Sequence, residues 1–283
     1  MNELAFLSII LLSCVRLIGL GVSLDYYFET KKRKFKVISF GWFIFFVSGL
    51  FVITLNFYDN VFLFEFFLVF NALLTSIGAL LVNIGLVSYF IKIPIRTIVL
   101  YAIILLIVPI IIWFIFDYRI AINFSIVNVN LIFLYIFLLP IFKRAKFKEY
   151  MGRSKKWYYI TCAVFFFFIP LSITTILQGY SFGLYYADND TLVIIYYTIT
   201  ISTIILIIIV LIQIEYSISS QQKNRLKDKY SHDLGNALQA IYSCFDLLEL
   251  KTSSDKNKDA ISKEILKPKL KEAANLIIEI RNL

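Results

Sequence analysis

Residues Thr191–Leu250 read TLVIIYYTITISTIILIIIVLIQIEYSISSQQKNRLKDKYSHDLGNALQAIYSCFDLLEL, and they decide how the rest of the chain is organised. The stretch opens with an apolar run to Ile214 that is long enough to cross a bilayer, since a spanning helix needs roughly 20 apolar residues. The polar segment that follows contains neither glycine nor proline before Gly235, so nothing in it stops a helix. We therefore predict one continuous helix that leaves a membrane and continues as a stiff polar connection.

The end of this stretch carries a second pattern, a seam of apolar residues at alternating steps of four and three. This period is typical of a helix that packs against partner helices. The seam consists of Leu234, Leu238, Ile241, Phe245 and Leu248, and a matching seam follows at Leu266, Leu270, Ala273, Ile277 and Ile280. Neither helix can bury its seam alone, which predicts a helical hairpin that dimerises into a four-helix bundle.

The composition of the whole chain indicates a membrane protein with a polar tail. It is 60% hydrophobic with a mean hydropathy of +0.80, too apolar for a soluble domain. Seven apolar stretches have the length of a membrane span. We place them at residues 4–24, 37–56, 61–91, 97–116, 121–142, 157–178 and 191–214.

The basic residues are distributed as membrane topology predicts, which argues against a nucleic-acid-binding role for the net charge of +9. The first, third and fifth loops are rich in Lys and Arg, whereas the second, fourth and sixth share only Arg119. Under the positive-inside rule the odd loops are cytoplasmic. This predicts a cell-membrane protein with its N-terminus outside and its tail in the cytoplasm. The basic loop Lys143–Lys156 is able to contact anionic lipid headgroups, although its role in fixing the orientation of the chain explains it fully.

The chain's single histidine, His232, precedes the seam by two residues, so we expect it on the outer side of its helix. Asp233 follows it directly and can hold Nδ1–H, which leaves Nε2 unprotonated as a nucleophile. Asn236 lies one turn further on, on the same face, and can orient a water molecule. These three residues form a plausible phosphoryl-transfer site. The three cysteines are far apart and show no metal-binding spacing.

The segment HDLGNAL at His232–Leu238 resembles the phospho-acceptor box of two-component sensor histidine kinases. The resemblance covers residues 221–283 and implies the dimerisation and phosphotransfer hairpin of that family. It implies that His232 accepts a phosphoryl group from ATP and passes it to an aspartate of a response-regulator receiver domain. Asp233 would act as acid and base, and Asn236 would position water for the phosphatase reaction. The larger branch of the family has proline where this chain has Ala237.

The family's ATP-binding domain is not expected within this sequence. The chain stops at Leu283, and no glycine occurs after Gly235 from which a nucleotide-binding loop could be built. We therefore expect ATP to be held by a catalytic domain outside this chain. That domain would be either the continuation of a longer kinase, which we favour, or a partner acting in trans.

Polar residues inside the predicted spans are candidates for a signal-binding site, because they are costly in lipid. Arg16 lies within the first span, and Glu65 and Asn71 lie in the outer half of the third. We expect Arg16 to pair with Asn71 or to reach towards Glu65. Asn128, Asn130 and Pro170 are further candidates for an outward-facing cavity. The alternative is that these groups only lock helices together.

The predicted fold class is all-α: a seven-helix transmembrane bundle followed by a cytoplasmic helical hairpin. Its predicted parts are a sensor domain at residues 1–214, a helical linker at 215–229 and the phosphotransfer hairpin at 230–283. The main alternative function is a non-catalytic seven-helix receptor or scaffold whose tail dimerises or relays phosphate made elsewhere. A small transporter is a third possibility, but it leaves the histidine segment unexplained.

Overall fold

A computed structural model describes residues 3–54, 61–152, 155–177, 190–250 and 267–281 of the chain. Every element in these described residues is a helix, as expected of an all-α protein. The helices are α1 (Glu3–Thr30), α2 (Arg33–Thr54), α3 (Val61–Val87), α4 (Ile95–Ile115), α5 (Tyr118–Phe142), α6 (Arg144–Met151), α7 (Lys155–Leu177), α8 (Asp190–Leu250) and α9 (Lys267–Arg281).

Seven helices in the described part of the chain are long and apolar enough to cross a membrane, which fits a multi-pass membrane protein. They are α1 to α5, α7 and α8. The most apolar is α4, whose spanning window has a mean hydropathy of 3.1 with only 11% of its residues buried. An apolar helix with so little protein around it is suited to contact with lipid.

The chain divides into two compact units, Met1–Ile214 and Glu215–Leu283. In the first unit α2 packs against α1 and α3, and α3 also packs against α4 and α5. Gly41 of α2 lies against the backbone of α3, since a Cβ atom at Gly41 would lie 2.8 Å from the backbone nitrogen of Val82. Small residues of this kind let membrane helices approach each other closely.

Hydroxyl groups add hydrogen bonds between the helices of the first unit. Ser39 of α2 donates to Ser23 of α1 (3.0 Å), and Ser76 of α3 donates to the carbonyl oxygen of Ser125 on α5 (3.3 Å). All four serines are buried. Such bonds hold the helices in register where the surroundings offer no water.

The short helix α6 lies in what the sequence predicts as the fifth loop. Its residues Phe147 and Met151 are one turn apart and fully buried. The Phe147 ring lies 4.8 Å from the ring of Tyr158 on α7 and 6.0 Å from that of Phe90, measured between centroids. These aromatic contacts anchor a basic segment to α7 and to the turn that follows α3.

In the second unit, α9 packs against the C-terminal part of α8. Ala237 and Ile241 of α8 and Ala273 of α9 form the buried contact, with Leu234 packed against it. Other members of the predicted seams, Leu238, Leu270 and Ile277, are exposed within a single chain. Leu266 lies outside the described residues, as do the side chains of Phe245, Leu248 and Ile280.

Candidate functional site

His232 lies on the surface of α8, with 75% of its side chain exposed. Two polar groups approach its Nδ1 atom. The amide nitrogen of Asn236 is 3.3 Å away, within hydrogen-bonding distance, and Asp233 Oδ1 is 3.6 Å away. The helix places Asn236 beside the imidazole, because residues i and i+4 share a face, and Asp233 lies next to His232 in the chain.

The two neighbours of Nδ1 favour opposite tautomers of the ring. If Asn236 donates to Nδ1, the proton of the neutral imidazole is on Nε2, which then has no lone pair for attack. If Nδ1 carries the proton, it can donate to Asp233 once their separation closes by a few tenths of an ångström, and Nε2 becomes nucleophilic. The observed heavy-atom geometry is compatible with either tautomer, and only the second leaves Nε2 with a lone pair.

Asn236 was expected to orient a water molecule, and the structure places its amide directly against the imidazole. Its oxygen and nitrogen can exchange places by rotation of the amide. With the oxygen facing Nδ1–H, Asn236 supports the reactive tautomer in the same way as Asp233. With the amide turned away from the ring, it can hold a water molecule.

The surface around His232 is open. Gly235 is exposed, and a Cβ atom placed there would have no neighbouring atom within 4 Å. Asn236 is exposed as well, and Asp233 has 41% of its side chain exposed. A domain of another protein can therefore approach the imidazole without moving any described residue of the second unit.

A contact between α8 and α9 lies two residues before the histidine. The Tyr230 hydroxyl donates to the Glu279 carboxylate, and this hydrogen bond, with the negative charge of Glu279, raises the pKa of Tyr230 above its ordinary value. The phenol therefore keeps its proton, and with it the bond, to a higher pH than an isolated tyrosine would. Sequence analysis missed this pair, since no local pattern connects residues so far apart.

The described residues of the second unit show no phosphate-binding loop. They form two helices, whose backbone amides are used in helical hydrogen bonds. A phosphate-binding loop requires free amides in a glycine-rich turn. That another domain holds ATP stays a prediction.

In the first unit, Arg16 is buried within α1, with 6% of its surface exposed. Its Nη1 donates to the carbonyl oxygen of Phe45 (2.8 Å) and to Ser48 Oγ (3.1 Å), both on α2. The guanidinium carbon also lies 5.1 Å from the centre of the Phe45 ring. These contacts hold the charge in place between the two helices.

Arg16 and Asn71 line the same cavity, which has a volume of about 80 Å³. Asn71 is also buried, and Thr75 one turn along α3 donates to Ser48 (3.2 Å). From α8 the cavity receives Tyr196, Tyr197, Thr200 and Thr203. The structure thus places two of the three predicted ligand-binding residues at one internal site.

Glu65, the third predicted residue, bonds elsewhere. Its carboxylate accepts a hydrogen bond from the indole nitrogen of Trp113 on α4 (3.2 Å), and it is not among the described residues that line the cavity. Asn128 and Asn130 also act between helices. Asn128 accepts from Tyr101 (2.9 Å), and Asn130 donates to Ser172 (2.9 Å), so both match the alternative of groups that lock helices together.

The α8 residues of the cavity were missed by sequence analysis, although a signal was present. Tyr196, Thr200 and Thr203 recur at helical spacing within an apolar span. A polar stripe on one face of a membrane helix indicates a face turned towards protein.

Comparison with known protein families, with curated proteins and with solved structures finds no match for this chain.

Proposed function

We propose that this chain is the sensor and phosphotransfer part of a membrane histidine kinase in a two-component phosphorelay. The observation that carries the proposal is the exposed His232 imidazole, with both polar neighbours at Nδ1 and Nε2 on the opposite side of the ring. An imidazole oriented through one nitrogen is suited to nucleophilic attack by the other. The HDLGNAL segment resembles the family's phospho-acceptor box, which indicates that the reaction is phosphoryl transfer to histidine.

In the proposed reaction, His232 Nε2 attacks the γ-phosphorus of ATP presented by a catalytic domain outside this sequence. The bond from that phosphorus to the bridging oxygen breaks, and ADP leaves. Asp233 holds Nδ1–H and stabilises the positive charge that develops on the ring. A response-regulator aspartate then attacks the phosphorus, the P–N bond breaks, and Nε2 regains its lone pair.

The topology proposed for this function is a seven-helix bundle with its N-terminus outside and the hairpin in the cytoplasm of the cell. Its support is the charge of the loops, since the odd loops hold nearly all the basic residues outside the tail. The positive-inside rule uses no information from the histidine segment, yet it assigns His232 to the compartment that contains ATP.

The proposed assembly is a homodimer in which two hairpins form a four-helix bundle. Its support is the exposure of Leu238, Leu270 and Ile277, which are 42%, 49% and 54% exposed in one chain. All three lie at seam positions. Burying them against a second copy removes apolar surface from water, which contributes roughly 25 cal/mol per Å².

A non-catalytic receptor or scaffold is the second candidate. It is the alternative in which the exposed seam residues Leu238, Leu270 and Ile277 serve association. On this alternative the tail dimerises or relays phosphate that another kinase makes.

A phosphorylation assay tests the first function against the second. The full chain is incubated with labelled ATP and a soluble histidine-kinase ATP-binding domain, and in parallel with phosphoramidate as a small donor. We expect acid-labile label on the wild type and on Ser231→Ala, the control, but none on His232→Gln. Absence of label with both donors would favour the scaffold.

A further inference from the structure

The cavity beside Arg16 has a chemical character that defines what it can hold. Arg16 is the only formally charged residue among the described residues that line it, and no described lining residue carries a carboxylate. Most of the remaining wall is apolar or aromatic, including Val129, Phe133 and Phe168. The site thus combines one fixed positive charge with an apolar chamber.

A guanidinium in such a position favours an organic anion. Arg has five N–H donors in a planar fork, so it can keep its bonds to Phe45 and Ser48 and also bind a carboxylate. The attraction between the two charges is stronger in an apolar, dehydrated chamber than in water. The amide of Asn71 lines the same space and can donate to carboxylate oxygens, whereas the Thr200 hydroxyl there donates to the carbonyl oxygen of Tyr196 (2.8 Å).

The size of the cavity limits the rest of the ligand. A buried water molecule requires a cavity volume of about 10–15 Å³. A cavity of about 80 Å³ therefore has room for a molecule of several heavy atoms. Phe133, Phe165 and Phe168 offer flat apolar surfaces to a short alkyl chain. An inorganic anion would leave these surfaces without a partner.

We infer that the first unit binds a small monocarboxylate with an apolar body, with its carboxylate at Arg16. Binding of the carboxylate is inferred from the cavity alone. Its use as a signal rests on the proposed kinase function, because α8 lines the cavity through Tyr196, Tyr197 and Thr200 and carries His232 further along the same helix.

The test measures the melting temperature of the purified full chain in lipid nanodiscs. Acetate, butyrate, hexanoate and benzoate are each compared with their amides, which have nearly the same shape and no charge, at an ionic strength held constant with sodium chloride. We expect at least one carboxylate with an apolar body to raise the melting temperature in a saturable way. Its amide should have no such effect at the same concentration.

Two variants assign that effect to the cavity. Arg16→Gln should weaken binding of the effective carboxylate at least about tenfold, since charged hydrogen bonds are roughly twice as strong as neutral ones. Thr200→Phe should abolish binding by filling the chamber while Arg16 stays in place. Arg119→Gln, which changes an exposed arginine away from the cavity, should bind as the wild type does.

The inference is overturned if no carboxylate shifts the melting temperature, or if carboxylate and amide act equally. It is also overturned if chloride alone gives the full shift, or if the shift persists in Thr200→Phe. His232→Gln should bind the carboxylate normally. Failure of the phosphorylation assay and failure of this binding test are therefore separate results.

Discussion

His232 is held at one ring nitrogen by two neighbours that require different tautomers. Asn236 lies at hydrogen-bonding distance from Nδ1, whereas Asp233 is 3.6 Å away and would accept a proton from the same atom. Because the ring is exposed, small movements of either side chain suffice to change which of them is its partner. In the proposed function, the choice between these two partners sets the tautomer of the ring and so decides whether Nε2 can act as a nucleophile.

Replacing Asp233 with Asn should slow phosphorylation of His232. The variant keeps an oxygen that can accept from Nδ1–H but loses the charge that stabilises the developing imidazolium, and we expect a loss of about 100-fold, within the usual range for acid–base groups. The initial rate of acid-labile labelling measures it. Glu272→Gln, which removes an exposed carboxylate of α9 paired with Lys269, should leave the rate unchanged. Equal rates in Asp233→Asn and the wild type would exclude the role given to Asp233.

Gly49 should not tolerate a side chain, because a Cβ atom there would collide with Ser13 Oγ and lie 3.4 Å from Arg16 Nη1. We expect Gly49→Ala to destabilise the first unit by about 1–3 kcal/mol, the usual cost of overpacking. Gly21→Ala is the matched control, since a Cβ at Gly21 would have no neighbour within 4 Å. The melting temperatures of the two variants check this, and a lower value for Gly21→Ala than for Gly49→Ala would contradict it.

At the level of elements, the sequence predicts the long helices well and the short one not at all. The seven spans were recognisable because each is an apolar run near the length of a bilayer. In contrast, α6 lies within a basic segment, and its two buried residues, Phe147 and Met151, form too short a pattern to define a helix. The third span also ends sooner than expected, at Val87 instead of Ile91.

The contact of Tyr230 with Glu279 joins α8 to α9 close in sequence to His232. Tyr230→Phe should remove this hydrogen bond and increase amide hydrogen exchange in α9, whereas Tyr242→Phe, at a residue 69% exposed, should not. Since the pKa of Tyr230 is raised in the folded chain, its contribution to the stability of the hairpin is fully present below the pKa of a tyrosine in the unfolded chain. It is lost as the pH rises through the higher folded value. Unchanged exchange in Tyr230→Phe would show that the bond does not hold the helices together.

For the whole molecule, the sequence predicts the composition of the candidate sites better than their assembly. The residues around His232 were predictable, because they are neighbours on one helix. The cavity was predictable only in part, since Thr75 and Tyr196 join Arg16 there through the packing of distant helices. Glu65 bonds to Trp113 for the same reason, as the rotation of each helix about its axis cannot be read from one span.

The proposed dimer can be tested with two neighbouring residues of α9. Ile277 and Ile278 are 54% and 58% exposed, but only Ile277 lies at a seam position. Ile277→Asn should therefore weaken dimerisation of the full chain by about tenfold or more, given about 1.5–3 kcal/mol for burying an isoleucine. Ile278→Asn should leave it unchanged. Light scattering across a concentration series checks this, and equal effects would place the interface elsewhere.

The most direct test of the account is to locate the phosphoryl group on the chain by ³¹P NMR and mass spectrometry after phosphorylation. We expect one phosphorylated residue, His232, with the phosphorus bonded to Nε2, because Nδ1 is occupied by Asn236 and Asp233. Phosphate on Nδ1 or on any other residue would contradict the proposed mechanism. A histidine that stays unmodified while a known phospho-acceptor hairpin is labelled in the same reaction would contradict the proposed function itself.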